Sequence, residues 1–109
     1  MIVKDIAREL GLKPINEADT DRIAAGCYIG DLLSNVMVKA RKNDIWVTII
    51  RNLNVAAVAV LSDVSMVIIA ENSPADADLL KKASEHGVNL YSTSYSAYEL
   101  AVRISELLK

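Results

Sequence analysis

The most hydrophobic stretch of the chain runs from Leu53 to Ala70, LNVAAVAVLSDVSMVIIA, and is apolar on every side of any regular structure it adopts. Its two halves differ in kind. Leu53 to Leu61 is rich in Ala and Val and predicts a buried helix, whereas Ser65 to Ala70 is a short β-branched run with polar ends and predicts a buried strand. Ser62-Asp63 separates them, so neither half approaches the roughly 20 apolar residues of a membrane span. The rest of the chain is arranged around this centre.

Upstream, Val3, Ile6, Ala7 and Leu10 recur at helical spacing and predict an amphipathic helix closed by Gly11. Leu12 to Ile15 predicts a short edge strand, a position that tolerates Pro14, and Asn16 to Asp21 a polar acidic loop. Arg22 to Ile29 reads as a strand. Asp31 is placed to cap a helix with an apolar face of Leu32, Leu33, Val36, Met37 and Ala40. Lys39, Arg41 and Lys42 gather at its end, where the helix dipole favours cations, and Asn43 suits a left-handed stop. Ile45 to Ile50 is the next strand. Downstream of the centre, Ser73-Pro74-Ala75-Asp76 has the pattern of a helix start, leading to a helix through His86 that stops at Gly87. Val88 to Tyr91 predicts the last strand. Ser96-Ala97-Tyr98-Glu99 is a capping box for a final helix with Leu100, Ile104, Leu107 and Leu108 on its buried face.

Four strand-then-helix units joined by short connections predict an α/β fold. The expected architecture is one domain over residues 1–109: an open, doubly wound, mostly parallel sheet of four to five strands with helices on both faces.

Composition narrows the function. With 52% hydrophobic residues, 24% charged and a net charge of -2, the chain lacks the basic excess that a nucleic-acid backbone demands. KDIARELG resembles the opening of a helix-turn-helix, but Lys13-Pro14-Ile15 breaks the chain where the second helix would begin. No nucleic-acid or membrane partner is expected. The single cysteine, Cys27, has no partner for an internal disulfide, and no leader pattern opens the sequence, so the expected location is the cytoplasm. Part of the surplus of Ile, Leu, Val and Ala suits a subunit interface.

In open parallel sheets, ligands sit beyond the carboxyl ends of the strands, where helix N-termini also point. That rule selects Asp31, Ser34, Thr48, Arg51, Asn54, Glu71, Ser92 and Thr93 as candidate ligand-binding residues, with Gly30, Asn52, Asn72, Ser73 and Ser94 beside them. Arg51 is the obvious cation of this rim. Ser92 to Ser96 forms a hydroxyl-rich turn suited to a phosphate. The usual catalysts are out of place: His86 ends a helix at the opposite edge, and Cys27 falls inside a strand, where it reads as packing. Trp46 and the Tyr91, Tyr95 and Tyr98 group also read as packing. No GxxxxGK(S/T) or GxGxxG occurs, so neither a P-loop nor a dinucleotide turn is present. No catalytic residue, metal site or cofactor is therefore assigned, although Asp31 and Glu71 offer the rim oxygens a weakly held magnesium would need.

Several dispersed motifs also carry a family resemblance. Asp21-Arg22 with Gly26, Tyr28 to Ser34, Trp46 to Ile49, Asn54 with Val58 to Leu61, Ile68 to Glu71, and Leu90 to Thr93 together resemble the DRTGG domain over essentially the whole chain. Ala24 and Ala25 stand near the Thr-Gly positions of the family's name-giving motif. The family resembles the N-terminal domain of the HPr kinase/phosphorylase, whose kinase activity belongs to a separate P-loop domain. Elsewhere it is a regulatory insert beside nucleotide-sensing CBS domains in some pyrophosphatases and upstream of the catalytic part in some phosphotransacetylases, where it mediates dimer contacts. The resemblance implies a non-catalytic regulatory and dimerisation module that senses a phosphorylated or nucleotide-like metabolite. Two other readings stand beside it. One is phosphotransfer or HPr-kinase-like serine kinase activity through Asp31, Thr48, Ser92 or Thr93; the other is an adaptor for a neighbouring metabolic or redox enzyme.

Overall fold

The computed structural model describes all of residues 1–109. Five strands form one sheet in the order β1-β5-β4-β3-β2: β1 (Lys13–Asn16), β2 (Gly26–Ile29), β3 (Asp44–Thr48), β4 (Met66–Ile69) and β5 (Leu90–Ser92). β2 to β5 are parallel, and β1 lies antiparallel on β5 at one edge. The open, mostly parallel sheet expected from the sequence therefore forms, with the fifth strand supplied by the segment around Pro14.

Five helices cover it: α1 (Val3–Leu10), α2 (Leu33–Lys39), α3 (Asn54–Ser62), α4 (Ala77–His86) and α5 (Ala97–Leu107). The crossovers from β2 through to β5 all step the same way across the sheet, so right-handed connections carry α2, α3 and α4 over one face. The first and last helices cover the other. Strand alternation splits the core accordingly. Ile45, Val47, Met66, Ile68 and Tyr91 pack under α1 and α5 with Ile6, Leu10, Leu100 and Ile104. Trp46, Val67, Ile69 and Leu90 pack under the three crossover helices with Val36, Val55, Ala59 and Leu79. β4 is buried on both faces at every residue, which is why its sequence is an unbroken apolar run. Each such aliphatic side chain contributes about 1.5–3 kcal/mol by leaving water.

Several local expectations change. Residues 22–25 do not continue β2; Arg22 and Thr20 accept from the first amides of α1, and Ile23 bridges Ile2. The helix after Asp31 buries only Val36, leaving Leu32, Met37 and Val38 exposed. α3 buries Val55, Ala56, Val58 and Ala59, yet Val60 and Leu61 face solvent, the latter 74% exposed. α4 starts at Ala77, later than Ser73-Pro74, because the preceding loop is held by neighbours: Asn72 N–H donates to Thr93 O and Asp76 N–H to Arg51 O. Gly11 and Gly87 are left-handed stops as expected, Asn43 is left-handed just before β3, and Ser96 and Glu99 close a reciprocal capping box on α5. No helix is long and apolar enough to cross a membrane.

Candidate functional site

At the carboxyl ends of the strands, Thr48 pairs in register with Ile69, Ile69 with Ser92, and Ser92 with Lys13. These four residues form one row across four strands, with Thr48 and Ser92 about 10 Å apart at the usual strand spacing. The other candidates hang from the loops that leave this row.

On the β2–β3 side, Asp31 is not the cap of α2. Leu32 takes that position without a side-chain hydrogen bond, and Asp31 Oδ1 instead accepts from Thr48 Oγ1 at 2.8 Å and from Ile49 N–H at 2.9 Å. Thr48 Oγ1 in turn accepts from Ile50 N–H at 3.1 Å. The carboxylate thus staples the β2–α2 turn onto the end of β3, and the buried Thr48 hydroxyl spends its proton on that staple. Ser34 stands exposed in the first turn of α2. Arg51 lies in the next loop, where its Nε pairs with Asp76 Oδ1 at 3.4 Å and its carbonyl accepts from Asp76 N–H, tying two rim loops together. Asn54 opens α3, its amide donating to Asn52 Oδ1 at 3.0 Å.

On the β4–β5 side, Glu71 and Asn72 are consecutive left-handed residues with φ of 60° and 56°. Neither is glycine, so the conformation costs on the order of 1 kcal/mol per residue. It persists because both amides are fixed: Glu71 N–H donates to Tyr95 O and Asn72 N–H to Thr93 O, each at 2.9 Å. Thr93 is buried, and its Oγ1 accepts from Tyr95 N–H at 3.2 Å. Ser73 Oγ donates to Ile49 O at 3.2 Å. The rim is therefore a set of mutually bonded loops, with Asp31, Thr48, Arg51 and Thr93 acting as ties. Lys13, absent from the candidates chosen by sequence, stands next to Ser92 in the same row. Its place follows from the β1–β5 pairing, which no local pattern announces.

Other chemistry-bearing residues are elsewhere. His86 is exposed at the far end of α4. Trp46 is fully buried, its Nε1–H donating to Gly30 O at 3.0 Å, and Tyr91 is buried with its hydroxyl donating to Glu17 at 2.7 Å. Burial, then the Glu17 hydrogen bond, raises the Tyr91 phenol well above its ordinary range. Cys27, read from sequence as packing, is exposed on edge strand β2; desolvation first and the Asp44 carboxylate second push its thiol up to about 11. A thiol so raised is protonated near neutrality and a poor nucleophile.

The Asp21-Arg22 pair lies at the amino-terminal edge of the sheet, away from the rim. Asp21 pairs with Lys4 at 2.8 Å. Arg22 Nε donates to Asn43 Oδ1 at 3.0 Å, and its Nη2 to both the carbonyl and the carboxylate of Asp63, the left-handed residue that ends α3. Gly26 lies nearby, where an added Cβ would come within 2.6 Å of Asp44 Oδ1. The remnants of the motif are structural here: Arg22 clamps the end of α3 to the entry of β3.

The chain matches the model of the DRTGG domain over residues 5–107. No curated protein matches it. Among solved structures it is similar to the CBS and DRTGG domains of the regulatory region of the Clostridium perfringens pyrophosphatase, complexed with its activator, diadenosine tetraphosphate. That likeness has a TM-score of 0.71 at 10% sequence identity, and it covers 93% of this chain and 44% of the other, so this chain spans under half of that region. With a parallel sheet closed by an antiparallel edge strand and a family match from residue 5 to residue 107, the chain belongs to the DRTGG domain family.

Proposed function

We propose that this chain is a non-catalytic regulatory module: it binds a phosphorylated or nucleotide-like metabolite at the carboxyl ends of its strands, self-associates as a homodimer, and passes the liganded state to a neighbouring enzyme in the cytoplasm. The observation that carries the reading is the condition of the rim. Thr48 and Thr93 are buried with their hydroxyls hydrogen-bonded, the Asp31 carboxylate is held by Thr48 and the Ile49 amide, and Arg51 is paired with Asp76. Such a rim is polar and internally bonded, and its one hydroxyl beside a carboxylate, that of Thr48, is buried and already committed to Asp31 and the Ile50 amide rather than open to a substrate. That the similar pyrophosphatase region is regulatory and carries a nucleotide activator speaks for the same role here.

The homodimer is supported by exposed apolar side chains gathered on α2 and the end of α3, with Val38 at 81% and Leu61 at 74% exposure, beside the unpaired edge of β2. Against phosphotransfer, the sequence carries no P-loop, and its one histidine is at the opposite edge of the sheet. The test is incubation of the purified protein with labelled ATP and with labelled acetyl phosphate. This reading expects no label on the protein. Incorporation that disappears in Asp31→Asn or Thr93→Ala would replace it with phosphotransfer.

A further inference from the structure

We propose that the ligand site is the cleft between β1, the end of β5 and the loop leading into α4, and that it takes a phosphate monoester carried on a flat or apolar body of nucleoside-monophosphate size. This rests on the regulatory reading above and locates its site. The cleft encloses about 420 Å³, within the usual range for small-molecule sites. At its polar end stand Lys13, Asn72 and Ser92, and none of their side chains has a hydrogen-bond or ion-pair partner in the protein. An ammonium, an amide and a hydroxyl left free in one concavity are a donor set for a dianion. The nearby carboxylate of Asp76 is occupied by Arg51, so Lys13 is not neutralised by it. The remaining wall is apolar and stiff, with Pro14 on one side and Pro74 and Leu80 on the other; Leu80 is 44% exposed although it sits in the middle of α4.

The backbone fixes this arrangement. Asn72 owes its position to the left-handed pair Glu71-Asn72, whose amides are bound by Tyr95 and Thr93 carbonyls. Lys13 and Ser92 are neighbours because they are register partners. The largest cavity of the molecule, about 510 Å³ between α1 and α5, has the opposite character: Glu9, Glu99 and Glu106 face a single Arg103, which stacks on Tyr95 with its guanidinium 4.5 Å from the ring centre. An anion would be repelled there.

The experiment is a titration of the labelled protein, followed by amide chemical shifts, with AMP and with p-nitrophenyl phosphate as monoesters and with adenosine and inorganic phosphate as their halves. We expect at least one monoester to move the amides of Asn72, Ser73, Leu80 and Ser92, and to bind more tightly than either half. Lys13→Gln should weaken it on the order of tenfold, as loss of a charge-assisted hydrogen bond does, and Lys109→Gln, outside the cleft beyond the end of α5, should leave it unchanged. Shifts centred on Asp31, Thr48 and Asn54 would overturn the cleft while leaving the regulatory reading intact, as would binding that survives Lys13→Gln. Binding of adenosine alone as tight as AMP would overturn the phosphate assignment. If neither monoester moves any amide, the monoester assignment of the cleft falls, while the regulatory reading still stands or falls on the other phosphorylated ligands.

Discussion

Arg22 shows what a single side chain decides in this domain. Its guanidinium satisfies Asn43 Oδ1 and two oxygens of Asp63, joining a turn and a helix end that are far apart in sequence. With the side chain only 25% exposed, Arg22→Ala removes three charge-assisted hydrogen bonds and should cost about 2 kcal/mol. Urea unfolding measures it, and Arg22→Lys should recover little, since an ammonium cannot reproduce the planar fork. A loss below roughly 0.5 kcal/mol would mean the clamp is a solvated surface pair. From sequence alone the Asp-Arg pair was legible as a family mark and not as a strut, because its partners, Asn43 and Asp63, are fixed by tertiary contact. Asp31 failed in the same way. Its position before a helix satisfied a local capping rule, but Thr48 and the Ile49 amide offered a better pair of donors from the neighbouring strand. By contrast, Ser96 and Glu99 were read correctly because a capping box is complete within four residues.

Elements were more legible than their ends. Every predicted strand and helix has a counterpart, since apolar runs and helical spacing report which faces must leave water. The limits moved where a neighbouring loop held the backbone, as before α4, and where one apolar face had nothing within the chain to cover it. α2 is the clearest case: its five apolar positions predicted a buried stripe, and only Val36 is buried. Met37 and Val38, together with Val60 and Leu61 of α3, are exposed, and the proposed homodimer would bury them. Light scattering at tens of micromolar should therefore give the mass of two chains, and the pair Val38→Lys and Leu61→Lys should give one. Both positions are open in the single chain, so the variants should keep the parent's circular dichroism spectrum and a cooperative unfolding transition. A monomeric parent, or a dimer indifferent to both charges, would place the interface elsewhere or remove it.

At the scale of the whole molecule, two core layers pack on either side of β4, and the loops at the carboxyl ends of the strands form one polar, mutually bonded rim. The position of that rim in the fold was legible in the sequence, because the carboxyl ends of parallel strands follow from the order of elements. It could not indicate that Lys13 stands beside Ser92, because β1 joins the sheet next to the last strand. Arg51, the cation that sequence favoured, is used to bind Asp76. Binding of a phosphorylated small molecule at this rim is read by thermal unfolding across a panel of AMP, ADP, ATP, acetyl phosphate, acetyl-CoA and sugar phosphates. A ligand at about 100 times its dissociation constant adds roughly 2.7 kcal/mol, which raises the midpoint of a domain of this size by on the order of 10 °C. At least one phosphorylated compound should give such a rise, diminished in Lys13→Gln; a midpoint unmoved by every compound would rule out a small-molecule site at the rim.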